Sequence, residues 1–275
     1  MLSFEGMRSP VANPLAHRLE QFARLSPEDH AGLDMLASGP QFRIGARQDI
    51  IMEGERPSVV RLILEGWACR YKVLPDGRRQ IIALFLPGDL CDLHVYVLRE
   101  LDHSIGTLTE VRYVEITRER IDMLTTHQPR VTQALWWDAL VSAAIQREWT
   151  VNLGQRDAIE RMAHLLCEIF FRLRAVRMTN GKRCWIPLTQ NDLAEVTGMT
   201  VVHVNRTLKE LRTRGLIAWK ARELEMLDLD AMCTLAMFNA NYLHANHEGA
   251  HLDANAAGMM QREAEAVAVA EAALK

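Results

Sequence analysis

The sequence predicts an α+β fold, with a β-roll or jelly roll first, a long helix next, and a small helical domain with a β-hairpin last. Three observations predict this arrangement. Short apolar runs separated by turn residues occupy positions 41–117, an uninterrupted helical pattern occupies 129–154, and two short helical patterns lie back to back in 188–217. The chain has 275 residues, which is long enough for two domains that each bury a core.

Two short helices are expected before the first strand, within positions 13–36. The second begins after Ser26, a favourable cap, with Pro27 at the first helical position. From Gln41 onward the apolar pattern becomes that of short strands, including one long run over residues 59–74. Many short strands at regular spacing, joined by Gly- and Pro-containing turns, predict the β-roll.

A long helix is predicted to begin at Pro129, and it is apolar almost all round between Ala134 and Ile145. Such a helix must be covered on more than one side. One side is expected to pack on the β-roll, so the other needs a second chain; complete burial inside one chain is the alternative. The pattern loosens at Gly154 and a new helix cap follows at Asp157, which places a hinge between them.

The two helical patterns of residues 188–217 are separated by Gly198. Thr189 stands three residues before Asp192 and is expected to cap the first helix, and Thr200 is expected to cap the second. Gly215 ends the second helix. The inner face of that helix is expected to hold Val204, Leu208 and Leu211, and its outer face His203, Asn205, Arg206, Lys209, Arg212 and Arg214.

Two helices joined by a tight turn, the second with a basic polar face, are typical of a helix-turn-helix. The second helix of this motif fits the major groove of DNA, and a helical hairpin with merely solvated charges is the alternative. The segment after Gly215 favours DNA binding, because it reads as two strands around a turn with Lys220 and Arg222 near its tip, which is a wing. Residues 156–230 also carry a net charge of +3, against −6 for the rest of the chain.

This region resembles the C-terminal domain of the Crp/Fnr (catabolite activator type) transcription regulators, and the resemblance extends from about residue 13 to residue 244. Val202 departs from the family pattern, which usually has a glutamate that accepts a hydrogen bond from cytosine. The DNA half-site is therefore expected to differ from the common one. With the resemblance and the exposed face taken together, the predicted base-reading residues are Val201, Val202, His203, Asn205 and Arg206. The predicted phosphate-binding residues are Thr189, Gln190, Thr200, Lys209, Arg212 and Lys220.

The resemblance implies a cyclic-nucleotide-binding-like β-roll as the sensor domain. Gly88, Asp89 and Leu90 match a Gly-Glu-Leu segment of the family's pocket, while His103 and Ser104 stand where members that bind cyclic AMP have a phosphate-binding arginine segment. These five residues form the predicted effector pocket. A neutral histidine cannot replace a charged, bidentate guanidinium, so no direct response to cyclic nucleotides is expected. Direct cyclic-nucleotide sensing remains the alternative.

No cofactor is predicted. Cys91, His94 and His103 could bind haem iron or zinc, but a single Cys-x-x-His is more often a buried thiol with a surface histidine. No cysteine precedes Cys69, so the N-terminal iron–sulfur cysteines of Fnr-like members are absent. A haem- or redox-sensing regulator is thus a weaker alternative. A cupin-type enzyme is weaker still, because it needs clustered His and Glu ligands on neighbouring strands.

The predicted organisation is a sensor β-roll at 13–128, a dimerisation helix at 129–154, a winged helix-turn-helix at 155–244 and a flexible or loosely helical tail at 245–275. The expected partners are double-stranded DNA with a palindromic operator, a second copy of the chain and, as a candidate, RNA polymerase. A cytoplasmic protein without membrane contact is expected, because neither a signal peptide nor a bilayer-spanning run is recognised. The predicted dimer contacts are Trp137, Leu140, Val141 and Ile145, beside Trp136.

Overall fold

The computed structural model describes residues 13–91, 93 and 98–244. Helices α1 (Pro14–Leu19) and α2 (Pro27–Ala37) precede the first strand. The Ser26 hydroxyl accepts a hydrogen bond from the Asp29 backbone N–H, and the Asp29 carboxylate accepts one from the Ser26 N–H. This reciprocal capping box confirms the predicted start of α2.

The strands of the sensor half form two four-stranded antiparallel sheets, ordered β1-β8-β3-β6 and β2-β7-β4-β5. Both sheets contribute to one apolar core, in which Leu62, Trp67 and Ile81 are completely buried. The predicted β-roll is therefore confirmed. Its strands are β1 (Gln41–Ile44), β2 (Asp49–Ile51), β3 (Val59–Glu65), β4 (Ala68–Val73), β5 (Arg79–Phe85), β6 (Leu90–Cys91), β7 (Ser104–Thr107) and β8 (Val111–Thr117).

The long apolar run at 59–74 is two strands rather than one, because the chain turns at Gly66 between β3 and β4. Gly66 has φ +81°, and a Cβ there would lie 2.0 Å from the Glu110 carbonyl oxygen. The turn sends β3 into one sheet and β4 into the other. Only glycine fits this close approach of two backbone segments.

Two helices follow the β-roll. Helix α3 (Arg118–His127), which the sequence patterns did not predict, leads directly into α4 (Pro129–Gly154). Helix α4 begins at Pro129 as predicted, and it packs against α1, α3 and β5. In the part of the chain that the structure describes, no helix combines the length and apolar character that crossing a membrane requires.

The C-terminal half surrounds α5 (Ala158–Ala175), which Asp157 caps together with Glu160. A short strand pair, β9 with β10, was not predicted and joins the wing strands in a sheet of order β11-β12-β10-β9. The sequence of residues 230–242 predicts one short closing helix, but the structure interrupts it at Met237, whose φ is +48°. The remaining elements are β9 (Thr179–Asn180), β10 (Arg183–Trp185), α6 (Gln190–Thr197), α7 (Val201–Thr213), β11 (Ile217–Lys220), β12 (Glu223–Met226), α8 (Leu229–Leu235) and a 3₁₀ helix (Ala240–Leu243).

The two halves of the chain pack directly on each other, with α6 against β5. The Gln80 side chain donates a hydrogen bond to the Val196 carbonyl at 3.3 Å, and the Arg172 guanidinium donates one to the Leu84 carbonyl at 2.8 Å. The first helix of the helix-turn-helix therefore has a fixed place on the sensor half.

Candidate nucleic-acid interface and sensor cavity

Two side-chain caps and a glycine turn define the helix-turn-helix at the predicted residues. The Thr189 hydroxyl accepts from the Asp192 N–H at 3.2 Å, and the Asp192 carboxylate accepts from the Thr189 N–H at 2.7 Å. Gly198 ends α6 with φ +66°, a conformation that glycine adopts without strain. The Thr200 hydroxyl then accepts from the His203 N–H at 3.3 Å and starts α7. The two predicted caps and the turn are confirmed.

Helix α7 buries one face and exposes the other. Val204, Leu208 and Leu211 are buried, where α5 and α6 pack against the helix. Val202 is 76% exposed and Val201 and His203 are half-buried. Among the ion pairs of the described residues, none involves a basic side chain of α7. The other predicted DNA contacts on α6 and α7 are all exposed: Thr189, Gln190, Thr200, Asn205, Arg206, Lys209 and Arg212.

The wing is a two-stranded hairpin whose turn consists of Ala221 and Arg222. Both residues have positive φ, 51° and 69°, as the central residues of a type I′ turn require. Lys220 pairs with Glu223 at the tip and is exposed. The predicted strands and turn are therefore confirmed, and the role of Lys220 in phosphate binding stays a prediction.

A cavity of about 480 Å³ lies where the β-roll, α4 and α5 meet, a volume that suits a small organic ligand. Leucine and isoleucine side chains form much of its wall. Its charged and aromatic lining residues are Arg18, Arg70, Phe85, Asp89, Asp138 and Arg172.

Most of the cavity's charges are paired within the protein. The Asp89 carboxylate contacts Arg18 at 2.7 Å and Arg172 at 2.8 Å, and the Arg18 Nε donates to Asp138 at 2.5 Å. Arg172 also lies 3.5 Å from the completely buried Glu168. Burial raises the pKa values of Asp138 and Glu168, and the adjacent arginines oppose that shift. The network joins α1, α4, α5 and the segment before β6.

The structure separates the five residues predicted to form the effector pocket. Asp89 and Leu90 line the cavity, but Gly88, His103 and Ser104 do not. Asp89 and Leu90 lie at the start of β6, whereas His103 and Ser104 lie at the start of β7, which belongs to the other sheet. Gly88 packs against the Pro14 carbonyl, His103 lies 2.7 Å from Asp102, and the Ser104 hydroxyl accepts from the Glu53 N–H at 3.0 Å.

The predicted dimer residues divide between two faces of α4. Val141 and Ile145 are 3% and 6% exposed, because the helical period turns them toward the chain's own core. Trp137 is half-buried. Leu140 is 63% exposed and Trp136 64%, so these two form the outer face. The candidate dimer surface is therefore narrower than the sequence predicted.

Comparison with known proteins agrees with both halves of this architecture. Residues 41–127 match the cyclic nucleotide-binding domain, and residues 160–235 match the Crp-like helix-turn-helix domain. Over 212 residues, 76% of the chain, it is 27% identical to the transcriptional activator protein FnrL of Cereibacter sphaeroides and covers 84% of that protein. Over 175 residues, 64% of the chain, it is 30% identical to a probable transcriptional activator of Rhizobium leguminosarum bv. viciae and covers 72% of it. The chain belongs to the Crp/Fnr family of transcription regulators.

The fold of this Crp/Fnr regulator is also that of solved structures. FixK2 from Bradyrhizobium japonicum superimposes with a TM-score of 0.64 at 24% identity, covering 73% of this chain and 98% of that one. A transcriptional regulator of the CRP family from Thermus thermophilus gives a TM-score of 0.57 at 22% identity, with 72% of this chain and 97% of that one covered. The predicted fold and family are confirmed, and the chain is a transcription regulator rather than an enzyme.

Metal ligands are not grouped in the described part of this Crp/Fnr regulator, where no three His, Cys, Asp or Glu side chains form a cluster. His94 lies outside the described residues, and the absence of a cofactor stays a prediction. One motif is missing from the sequence-based predictions: residues 247–251 read His-Glu-Gly-Ala-His, a spacing found in zinc sites. That segment also lies outside the described residues, as does the whole predicted tail at 245–275.

Sequence reasoning also missed the arginines that pair inside the protein, Arg18 and Arg172 in the cavity and Arg47 at the seam between the halves. One signal was present for Arg172, which lies four residues after Glu168 within the otherwise apolar segment 165–173 of α5. A charged pair in such a helix indicates buried ion pairing, because an isolated buried charge is too costly.

Proposed function

We propose that this regulator acts as a homodimer that binds a palindromic operator and controls transcription from it. The observation that carries the proposal is the exposed basic face of α7, where Arg206, Lys209 and Arg212 have no acidic partner among the described residues. Two copies of α7 related by a twofold axis must enter successive major grooves about 34–36 Å apart. A palindromic site follows from that symmetry.

The outer face of α4 supports the dimer. Trp136 and Leu140 are exposed large apolar side chains one helical turn apart, and Ala143 extends their stripe by a further turn. The exposed Arg147 separates this stripe from Val151, which is 42% exposed. An apolar stripe of this length on one helix is typical of a surface that packs against a second helix. Twofold packing of α4 on itself would fix the separation of the two recognition helices.

The operator is proposed to differ from the family's common half-site. Val202 is the most exposed large apolar residue of α7, and it stands where the resemblance implies a glutamate. Valine cannot accept a hydrogen bond from cytosine, whereas it can pack on a thymine methyl group. Selection of binding sites from random double-stranded DNA is expected to yield a palindrome, and Val202→Glu is expected to shift the preferred base at one position of each half-site.

RNA polymerase is the protein partner that we propose, and the cytoplasm is the proposed compartment. FnrL and the Rhizobium relative are named as transcriptional activators, which supports contact with the transcription machinery. Transcription in vitro from a promoter carrying the selected operator tests this proposal. A change in transcript level on adding the protein is expected, and an unchanged level would contradict it.

The decisive experiment on the dimer compares two exposed apolar residues on neighbouring helices. Leu140→Asp, on the outer face of α4, is expected to dissociate the dimer and weaken operator binding at least tenfold, because an aspartate would be buried unpaired in the seam. Met123→Asp, 50% exposed on α3, is the matched control and is expected to change neither property. Sedimentation and mobility shift measure both. A wild-type protein that is monomeric at micromolar concentration would rule out this dimer.

A further inference from the structure

One arginine of the sensor half, Arg47, reaches the first turn of α6 in the helix-turn-helix. Arg47 lies in the turn between β1 and β2, and the turn is held firmly. The Arg47 N–H donates to the Thr107 carbonyl at 3.1 Å, and the Thr107 hydroxyl donates to the Gly45 carbonyl at 2.7 Å. Arg47 itself has φ +62°, which is uncommon for a residue other than glycine and directs its side chain from this turn.

The Arg47 guanidinium forms a bidentate ion pair with Asp192 in α6 through both terminal nitrogens. Nη1 contacts one carboxylate oxygen, and Nη2 donates to the other, Oδ2, at 2.7 Å. The same Oδ2 accepts from the Thr189 N–H at 2.7 Å and from the Thr189 hydroxyl at 2.8 Å. The guanidinium and the hydroxyl of Thr189 are therefore bonded to one oxygen atom, and they lie side by side at the start of α6.

The start of α6 is the end that faces a DNA backbone in the proposed complex. Thr189 and Gln190 are exposed there, and the first turn of a helix favours a phosphate through its free N–H groups. Asp192 would oppose the phosphate, because the hydrogen bonds from Arg47 and Thr189 outweigh burial and lower the pKa of Asp192 below its ordinary value. Arg47 offsets this negative charge, and its side chain remains 45% exposed beside Thr189.

A second arginine crosses the same seam but faces inward. Arg79 Nη1 lies 2.5 Å from Glu195 of α6, and the guanidinium also covers the Tyr71 ring at 3.9 Å and donates to the Cys69 sulfur at 3.3 Å. Its side chain is 25% exposed. Arg79 thus contacts the second half of α6 rather than its first turn, which makes it a matched control for Arg47.

From this geometry we propose that Arg47 of the sensor domain contacts a DNA phosphate together with Thr189 and Gln190. The inference rests on the proposed function, since it requires that α6 lie against the DNA backbone. It adds a contact that the recognition domain alone does not contain. Full affinity then requires the sensor half to stay docked on α6, so a ligand that displaces the sensor half would remove one phosphate contact from each half-site.

The experiment measures operator affinity of the full chain as a function of salt concentration. Each lost phosphate contact lowers the slope of log affinity against log salt by about one, so a symmetric dimer loses about two. Arg47→Gln is expected to show this loss and Arg47→Lys to retain the wild-type slope. Arg79→Gln is expected to retain it as well, because the Gln80–Val196 hydrogen bond and the packing of α6 on β5 still hold the two halves together. A wild-type slope for Arg47→Gln would overturn the inference, and failure of the wild type to bind DNA would instead overturn the proposed function.

A double variant separates contact from charge compensation and avoids leaving the buried Asp192 carboxylate without a cationic partner. Arg47→Gln combined with Asp192→Asn removes both charges together, so a folding defect from an unpaired carboxylate is not expected. If Arg47 touches phosphate, the slope stays about two below that of the wild type. If Arg47 only offsets Asp192, the double variant recovers the wild-type slope, and the proposed contact is excluded.

Discussion

Two groups of arginines in this regulator have opposite surroundings. Arg18 and Arg172 are buried, and each lies against two carboxylates that come from other turns or elements of the fold. Arg206 and Arg212 extend from α7 into solvent, and no ion pair of the described residues involves them. The charge of the first group is used in folding, whereas that of the second is available to DNA. Exposure as well as pairing determines which arginines can reach a phosphate, since Arg47 is paired with Asp192 and yet 45% exposed.

The largest expected effect is in the buried group. Asp89→Asn removes the carboxylate that Arg18 and Arg172 share, and it should lower the free energy of unfolding by about 3–5 kcal/mol, as the loss of one member of a buried ion pair does. Denaturant unfolding followed by tryptophan fluorescence measures the change. Asp76→Asn, in an exposed turn beside Arg78, is the control and should change stability by less than about 0.5 kcal/mol. Equal effects of the two substitutions would remove the distinction between the groups.

A smaller effect on stability is expected from the protonation of a buried histidine, which has no permanent charge. His164 is completely buried on α5, and burial together with Arg156 lowers its pKa to about 3. The unfolded chain binds a proton at a pKa of about 6.5, so stability that is present at pH 7 is lost as the pH falls from 6.5 toward 3. The loss from this residue alone should reach about 2 kcal/mol at pH 5. His164→Gln should flatten that part of the pH profile, and an unchanged profile would show that His164 does not cause it.

In the exposed group, Arg206 and Lys209 are expected to separate specificity from affinity. Arg206→Ala should cost about 1–3 kcal/mol of specific binding and relax the preference at one base pair, since the residue is predicted to reach a base edge. Lys209→Ala should weaken binding to all sequences alike and lower the salt slope by about one for each half-site. Mobility shifts with operator and scrambled DNA compare the two variants. Specific binding unaffected by Arg206→Ala would mean that another part of α7 faces the bases.

Last in this order, cyclic AMP is expected to have no effect on operator affinity. His103 stands apart from the cavity beside Asp102, and Asp89 is already bonded to two arginines. We therefore expect that the chain lacks the phosphate clamp implied by the resemblance, and that operator affinity at neutral pH does not change. The purified protein should bind its operator without any added effector. A micromolar dissociation constant for cyclic AMP in calorimetry would contradict this prediction.

The sequence predicted the helix-turn-helix far better than the cavity, and the reason is physical. The caps at Thr189 and Thr200 act over three residues, and the inner face of α7 follows one helical period, so a short stretch of sequence contains all of that information. The Arg18–Asp138 pair joins residues 120 apart, and Arg172–Asp89 joins residues 83 apart. No local pattern specifies such contacts.

The same distinction explains the partial success with α4 and the β-roll. The length of α4 was predicted correctly, but its apolar stretch did not reveal that Val141 faces inward while Leu140 faces outward. Which side of an all-apolar helix is covered depends on the sheets packed against it. The split at Gly66 was missed for a similar reason, because the Glu110 backbone that excludes a side chain there is 44 residues away in the sequence.

The ion pairs of the cavity also determine where this protein can be recombined with its relatives. A crossover at the predicted hinge, residues 154–157, would take Asp89 and Arg172 from different parents. In such a hybrid the buried Asp89 carboxylate would keep Arg18 but lose its second arginine partner. The unit that can be exchanged as a module therefore includes α5 along with the sensor half. Designed hybrids should join after Ala175, so that Asp89, Arg18 and Arg172 all come from the same parent.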